Sequence, residues 1–270
     1  EADPIFQPMA SSVELLSVIA PGSSQAIEFN DGKIILSDLS SFSDYDWNYI
    51  KENFGTTKIS SAVNSSDLIA LVDWANLPNS THLWRGFLND VIKFTKKKGL
   101  IFLFDICDPS KRSSTEIKEL LILMNDYTEY GSVTLAVNEN EALKIWMSLN
   151  DLENEQETMP SLTEIGSFIF TKLSIDTLLI HPIDRTLVFQ KYQTIEMKGR
   201  VVTDPKVLTG GGDNLNAGYS LGLMKGLNIS QCMLLSMITS GAFVENGKSP
   251  KIEDLIDYLN SWVDEINQLE

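Results

Sequence analysis

The stretch richest in chemical potential runs Thr209-Gly210-Gly211-Gly212-Asp213-Asn214-Leu215-Asn216-Ala217-Gly218 in a chain of 270 residues. After the glycines, Leu215, Tyr219, Leu223 and Met224 fall on one apolar helical face, while Ala217, Gly218 and Gly222 leave room for a close neighbour. The loop therefore delivers backbone N–H groups to the amino end of a helix. Unpaired amides and the helix dipole favour an anion there, so the site can hold a phosphoryl group without side-chain cations. Asp213, at the end of the loop, could take a proton from a hydroxyl that attacks such a group. A plain glycine loop with Asp213 as an ordinary N-cap accounts for the same local residues.

A second polar group follows the apolar run from Val133 to Val137, where Asn138-Glu139-Asn140-Glu141-Ala142 opens another helix. Asn at the cap with Glu three residues on is a capping box. Asp105 and Asp108 lie just past a third apolar run, at the kind of strand end where open α/β sheets bind ligands, and a turn with Pro109 explains them as well. Gly241 to Ser249 ends in Gly-Lys-Ser, but five residues separate Gly241 from Gly247 where a P-loop has four. His82 and His181 are the only histidines, which excludes a multi-histidine metal centre, and neither has a local triad pattern. The two cysteines, Cys107 and Cys232, exclude a disulfide framework and a four-thiolate zinc site, leaving a reducing cytoplasm as the expected setting.

Charge narrows the partners further. With 37 acidic against 21 basic residues the formal net charge is −16, so the surface repels nucleic acid and anionic membrane. A nucleotide or sugar phosphate can bind only where amides, a metal ion or a few local cations reverse that field. The longest apolar runs, such as Leu100 to Phe104, are far too short to span a membrane.

The elements that must position these groups alternate between strand and helix patterns, which predicts an α/β architecture with a mostly parallel sheet and helices on both faces. Leu83, Trp84, Phe87, Leu88, Val91 and Ile92 recur at helical spacing before Gly99, and the apolar strand Leu100 to Phe104 follows. Asp67 to Val72, Val133 to Val137 and Thr177 to Ile180 read as further buried strands. Gln25 to Phe29 and Lys33 to Leu36 flank Asn30-Asp31-Gly32, a hairpin signal whose alternation suits a small β lid over about residues 22–38. From Ile252 to Leu269 a long amphipathic helix follows Ser249-Pro250 and should close the domain. The acidic stretch Asp151 to Glu157 reads as a solvated loop.

Gly-x-Gly-Asp followed by x-x-Asn-Ala-Gly resembles the C-terminal signature of the ribokinase-like (PfkB) carbohydrate kinases, matched here by Gly210, Gly212, Asp213, Asn216, Ala217 and Gly218. Where that family has an Asp-Thr pair before the glycines, this chain has Val207-Leu208. Asn138 and Glu141 resemble the family's Asn-x-x-Glu motif, in the same order along the chain. The resemblance implies a carbohydrate kinase that moves the terminal phosphoryl group of ATP, or of ADP, to a sugar hydroxyl. In that reading the amides of Gly210, Gly211 and Gly212 form the anion hole and Asp213 is the base. Asn138 and Glu141 organise Mg2+, mostly through water, and Ser240, Ala242 and Asn246 lie toward the nucleotide. The expected partners are a sugar or related alcohol and a nucleotide, with a homodimer as a further option. A nucleoside or vitamin-precursor kinase of the same fold, or a catalytically impaired binder, is the alternative. The similarity is read from Ala26 onward. The family's opening strand, with its sugar-binding aspartate, and its Gly-Gly-x-x-x-Asn element are not found before that point, so the N-terminal segment of a single ribokinase-like domain is expected to be absent.

Overall fold

A computed structural model describes residues 4–29, 32–153 and 158–268. Two compact units make up the chain: Glu1–Ser66 with Asp73–Lys98, and Asp67–Val72 with Gly99–Glu270.

In the first unit, strands β1 (Ser23–Phe29) and β2 (Gly32–Asp38) form an antiparallel two-stranded sheet of their own. Its register runs from Ser23 opposite Asp38 to Phe29 opposite Gly32, as the alternating pattern predicts; the turn residues Asn30 and Asp31 lie outside the described residues. Ile27 and Ile34 face each other across the ladder, and both are exposed. Helices α1 (Trp47–Asn53), α2 (Thr56–Ser65) and, after β3 (Leu68–Leu71) of the second unit, α3 (Ser80–Asp90) complete this part. The Trp47 ring packs against Gly86, where a Cβ would collide, and its Nε1 donates to Asp90 Oδ2 at 2.6 Å. The apolar spacing through Ile92 overshoots the α-helix: past Asp90 the chain tightens into a 3-10 turn over Ile92–Phe94. Gly99, at φ +69°, leads straight into the next strand.

The second unit contains β3 and continues with β4 (Leu100–Asp105), α4 (Ser114–Tyr127), β5 (Gly131–Val137), α5 (Glu139–Leu149), α6 (Leu162–Lys172), β6 (Thr177–Ile180), β7 (Arg185–Gln190), β8 (Gln193–Lys198), α7 (Gly211–Met224), α8 (Ile229–Asn246) and α9 (Ile252–Asn267). Its six strands lie in the order β3-β4-β5-β6-β7-β8, the first four parallel and the last two antiparallel. Alternation along the strands sends Leu103, Ala136, Leu179 and Val188 to one face, where they bury Leu215 and Tyr219 of α7 and Cys232 and Met233 of α8. On the other face Phe102 and Phe104 pack edge-on against Tyr127 of α4, at 5.1 and 5.2 Å between ring centroids, and Gly166 of α6 meets the Phe189 ring. The sheet is therefore mostly parallel with helices on both faces. Near-continuous apolar runs such as Leu100 to Phe104 are what burial on both faces demands.

Along α9, Tyr258 is buried beside Ile238 and Ala242 of α8, with Leu255, Leu259 and Trp262 packed around it. None of the described helices is long and apolar enough to cross a membrane.

Candidate active site

Helix α7 begins where the sequence places it. Gly210 is its N-cap at φ +94°, a left-handed conformation that explains the glycine there, and Asn214 N–H donates to Gly210 O at 3.1 Å as the first helical bond. The amides of Gly212 and Asp213 precede that bond, so they point out of the helix end, where the dipole is positive. Ser240 of α8 braces the turn through its Oγ, which donates to Gly211 O at 2.9 Å. Two further glycines bring the helices together: a Cβ on Gly218 would meet Thr239 Oγ1 at 2.5 Å, and one on Gly222 would meet Cys232 Sγ at 2.9 Å.

The same end of α7 is tied to the carboxyl edge of the parallel strands. Asn216 Nδ2 donates to Asp105 Oδ2, at the end of β4, at 2.7 Å. One strand over, Asn138 leaves β5 and caps α5. Its Oδ1 accepts from Glu141 N–H at 3.0 Å, while Glu141 accepts from Asn138 N–H at 2.9 Å and from Asn138 Nδ2 at 2.7 Å. Glu141 is buried, and that burial, aided by the negative charge of Asp105 and Asp108, pushes its carboxyl up to about 7 against the lowering pull of its Asn138 hydrogen bonds. A further strand over, His181 N–H donates to Val137 O at 3.0 Å as the chain leaves β6. Burial holds the His181 imidazole down at about 4, with a hydrogen bond to its own backbone acting the other way, so the ring is uncharged at neutral pH.

Between these elements lies a cavity of about 340 Å³ in the second unit. Gly211, Gly212, Asn138 and His181 form its polar end, and Val202, Leu208, Met237 and Val244 give it an apolar wall. Arg185 and Arg200 also border it, each held by acids. Arg185 Nη1 lies 2.9 Å from Asp184 and its Nε 3.4 Å from Glu196. Arg200 reaches Glu265 at 2.7 Å and Glu245 at 3.1 Å, and its guanidinium lies 4.7 Å from the Tyr258 ring centroid. These partners, Glu265 foremost, raise the Arg200 guanidinium well above its ordinary value.

Of the residues singled out in the sequence, Gly211, Gly212, Asn138 and Ser240 meet at this cavity, and Glu141 stands directly behind Asn138. Asp213 is exposed on the first turn of α7, and a Cβ on Gly210 would lie 3.9 Å from its Oδ2. Ala242 is buried beside Tyr258, and Asn246 is exposed at the carboxyl end of α8. Gly247, at φ +71°, caps α8, so the Gly-Lys-Ser run marks the carboxyl end of a helix. Asp108 accepts from Ser110 N–H at 2.9 Å, which makes the turn with Pro109 its evident role. The sequence reading passed over His181, Arg185 and Arg200 as site residues. A signal for His181 was present, since it follows an apolar strand directly, just as Asn138 does.

Among the described residues no group of three His, Cys, Asp or Glu side chains could hold a metal ion alone. A single buried carboxylate that resists ionisation beside other acids does fit a Mg2+ carried in on nucleotide phosphates, because that ion keeps most of its waters and takes few protein ligands.

Comparison with known proteins identifies the family. The family described as prokaryotic ketohexokinase matches residues 2–262, a stretch that starts well before Ala26. A ketohexokinase of Haloferax volcanii is 21% identical over 265 residues, which cover 97% of this chain and 69% of that protein. Among solved structures, a ribokinase of Thermotoga maritima aligns with a TM-score of 0.64 at 13% identity, covering 90% of this chain and 70% of its own. A ribokinase-II-type protein of E. coli solved with ATP and Mg2+ gives 0.64 at 9% identity, covering 91% and 73%. The sheet order, the helix that starts at a triple glycine and the extent of the family match lead to one assignment: this chain belongs to the prokaryotic ketohexokinase family of sugar kinases.

Proposed function

We propose that the protein transfers the terminal phosphoryl group of ATP to a hydroxyl of a ketohexose, with Asp213 as the base. The observation that carries this reading is the meeting of the Gly211–Gly212 turn and Asn138 at one cavity. Helix amides supply the field that an anionic donor needs in a chain of net charge −16, and the apolar wall of Val202, Leu208, Met237 and Val244 suits a nucleobase. ATP is favoured as donor because the similar E. coli structure was solved with it.

The chain's own groups divide the work. Asp213 accepts the proton of the attacking hydroxyl as the new O–P bond forms. The amides of Gly212 and Asp213 stabilise charge on the phosphoryl oxygens, and they are fixed in advance because Gly210 sets the turn and Ser240 braces it. Mg2+, when bound with the nucleotide, neutralises phosphate charge. Asn138 and Glu141 would hold it mostly through water, Glu141 as an anion once its proton has gone.

The test is a panel of ketohexoses, aldoses, pentoses and nucleosides, assayed for phosphate transfer with ATP and with ADP. Turnover confined to ketohexoses with ATP is expected. Transfer to nucleosides alone, or to nothing, would overturn the proposal.

A further inference from the structure

The cavity has a phosphate problem that its cations do not solve. Arg185 and Arg200 are both engaged by acidic partners, and the whole chain is strongly acidic. Freeing either arginine for a triphosphate would cost the ion pairs it already makes. What remains at the polar end is a set of uncharged donors: helix amides, the Asn138 side chain and the imidazole of His181.

His181 touches the anion-binding turn itself. A Cβ built on Gly212 would lie 3.3 Å from His181 Cε1 and 3.9 Å from Nε2. Gly212 has no positive φ, so its backbone does not require glycine, and the adjacent ring supplies a different reason for the missing side chain. The main chain that carries the ring is anchored, because the N–H of His181 continues the β5–β6 ladder to Val137 O.

The geometry points to His181 as a contact for the transferring phosphoryl group, acting beside the Gly212 amide as an uncharged donor. This rests on the kinase reading above and adds a residue on the donor side of the reaction. A phosphoryl oxygen entering beside Gly212 lies on the Nε2 side of the ring, where the Nε2–H tautomer offers it a donor, and hydrogen bonds to charged groups are the stronger kind. A neutral imidazole also avoids placing a lasting positive charge in a partly buried site.

Calorimetry of ATP, ADP and adenosine binding to the wild type, His181→Ala, His181→Asn and Gly212→Ala tests this without an activity assay. His181→Ala should raise the ATP Kd about tenfold or more while ADP and adenosine change by less than about twofold. His181→Asn, which keeps an uncharged donor, should recover part of the loss. Gly212→Ala should weaken ATP by crowding the ring, and adding His181→Ala to it should cost less than the two single effects combined. Equal weakening of ATP and ADP in His181→Ala, together with a lowered melting temperature, would mean a purely structural ring and overturn the inference. Unchanged ATP binding in His181→Ala would overturn it and leave the kinase reading standing. A wild type that binds neither nucleotide would overturn both.

Discussion

Asn216 and Asp105, 111 residues apart in sequence, meet at 2.7 Å, the Asn216 Nδ2 donating to Asp105 Oδ2. This bond fixes the second turn of α7 against the carboxyl end of β4, and with it the amides one turn earlier that face the cavity. A partly buried hydrogen bond to a carboxylate is among the stronger kinds, although Asn216 Oδ1 is itself buried without a partner among the described residues, which offsets part of the gain. Asn216→Ala should therefore cost about 1–2 kcal/mol, read as a fall of about 2–8 °C in melting temperature. Asn216→Asp should cost more, because it sets two carboxylates against each other. Equal melting of Asn216→Ala and wild type would show that the bond holds nothing.

Removal of the proposed base is the direct test of mechanism. Asp213→Asn keeps the shape of the side chain and the amides of the turn, so nucleotide should still bind. Turnover should drop by about a hundredfold or more, the usual range for a lost general base. Single-turnover rates that match the wild type would remove Asp213 from that role.

The glycine turn and the Asn138–Glu141 cap were legible because each is a local pattern, complete within four to nine residues. The parallel strands β3 to β6 were legible for a similar reason, as unbroken apolar runs. The β7–β8 hairpin was not read, although Ile195 and Met197 alternate with the exposed Thr194, Glu196 and Lys198. The β8 pattern is one-sided and polar, while β7 buries only the four residues from Thr186 to Phe189, a run too short to stand out. Arg200 carries no local signal at all, since its partner Glu265 lies 65 residues away. Nor does the run Ser240-Gly241-Ala242 reveal which residue faces the cavity. The packing of Tyr258 onto Gly241 and Ala242 turns Ser240 toward the Gly211 turn.

Metal dependence should carry the signature of Glu141. Its carboxyl is held up at about 7, so a proton competes with the cation throughout the neutral range. The Mg2+ concentration for half-maximal activity should fall as pH rises from 6 to 8 in the wild type. In Glu141→Gln it should be higher at pH 8 and nearly independent of pH. If Glu141→Gln lost thermal stability but kept both the metal requirement and its pH dependence, capping would be the whole role of this residue.

Glu141 and His181 make opposite contributions to stability. Glu141 is raised from 4.5 to about 7, so the folded state holds its proton where the unfolded state has lost it. That contribution is fully present below about pH 4.5, is lost as pH rises toward 7, and is flat beyond. His181 is lowered from 6.5 to about 4, so the unfolded state binds the extra proton. Its contribution is fully present above about pH 6.5 and is lost as pH falls toward 4. Between about pH 4.5 and 6.5 the two slopes cancel, each approaching about 1.4 kcal/mol per pH unit in the ideal limit. Glu141→Gln should uncover a stability that rises with pH across this window relative to the wild type. His181→Asn should uncover one that falls. Urea unfolding at half-unit pH intervals measures both, and the difference curves remove carboxylates common to all three proteins. Difference curves that are level for both variants would mean that neither group titrates abnormally in the fold, and would withdraw the electrostatic account of this cavity.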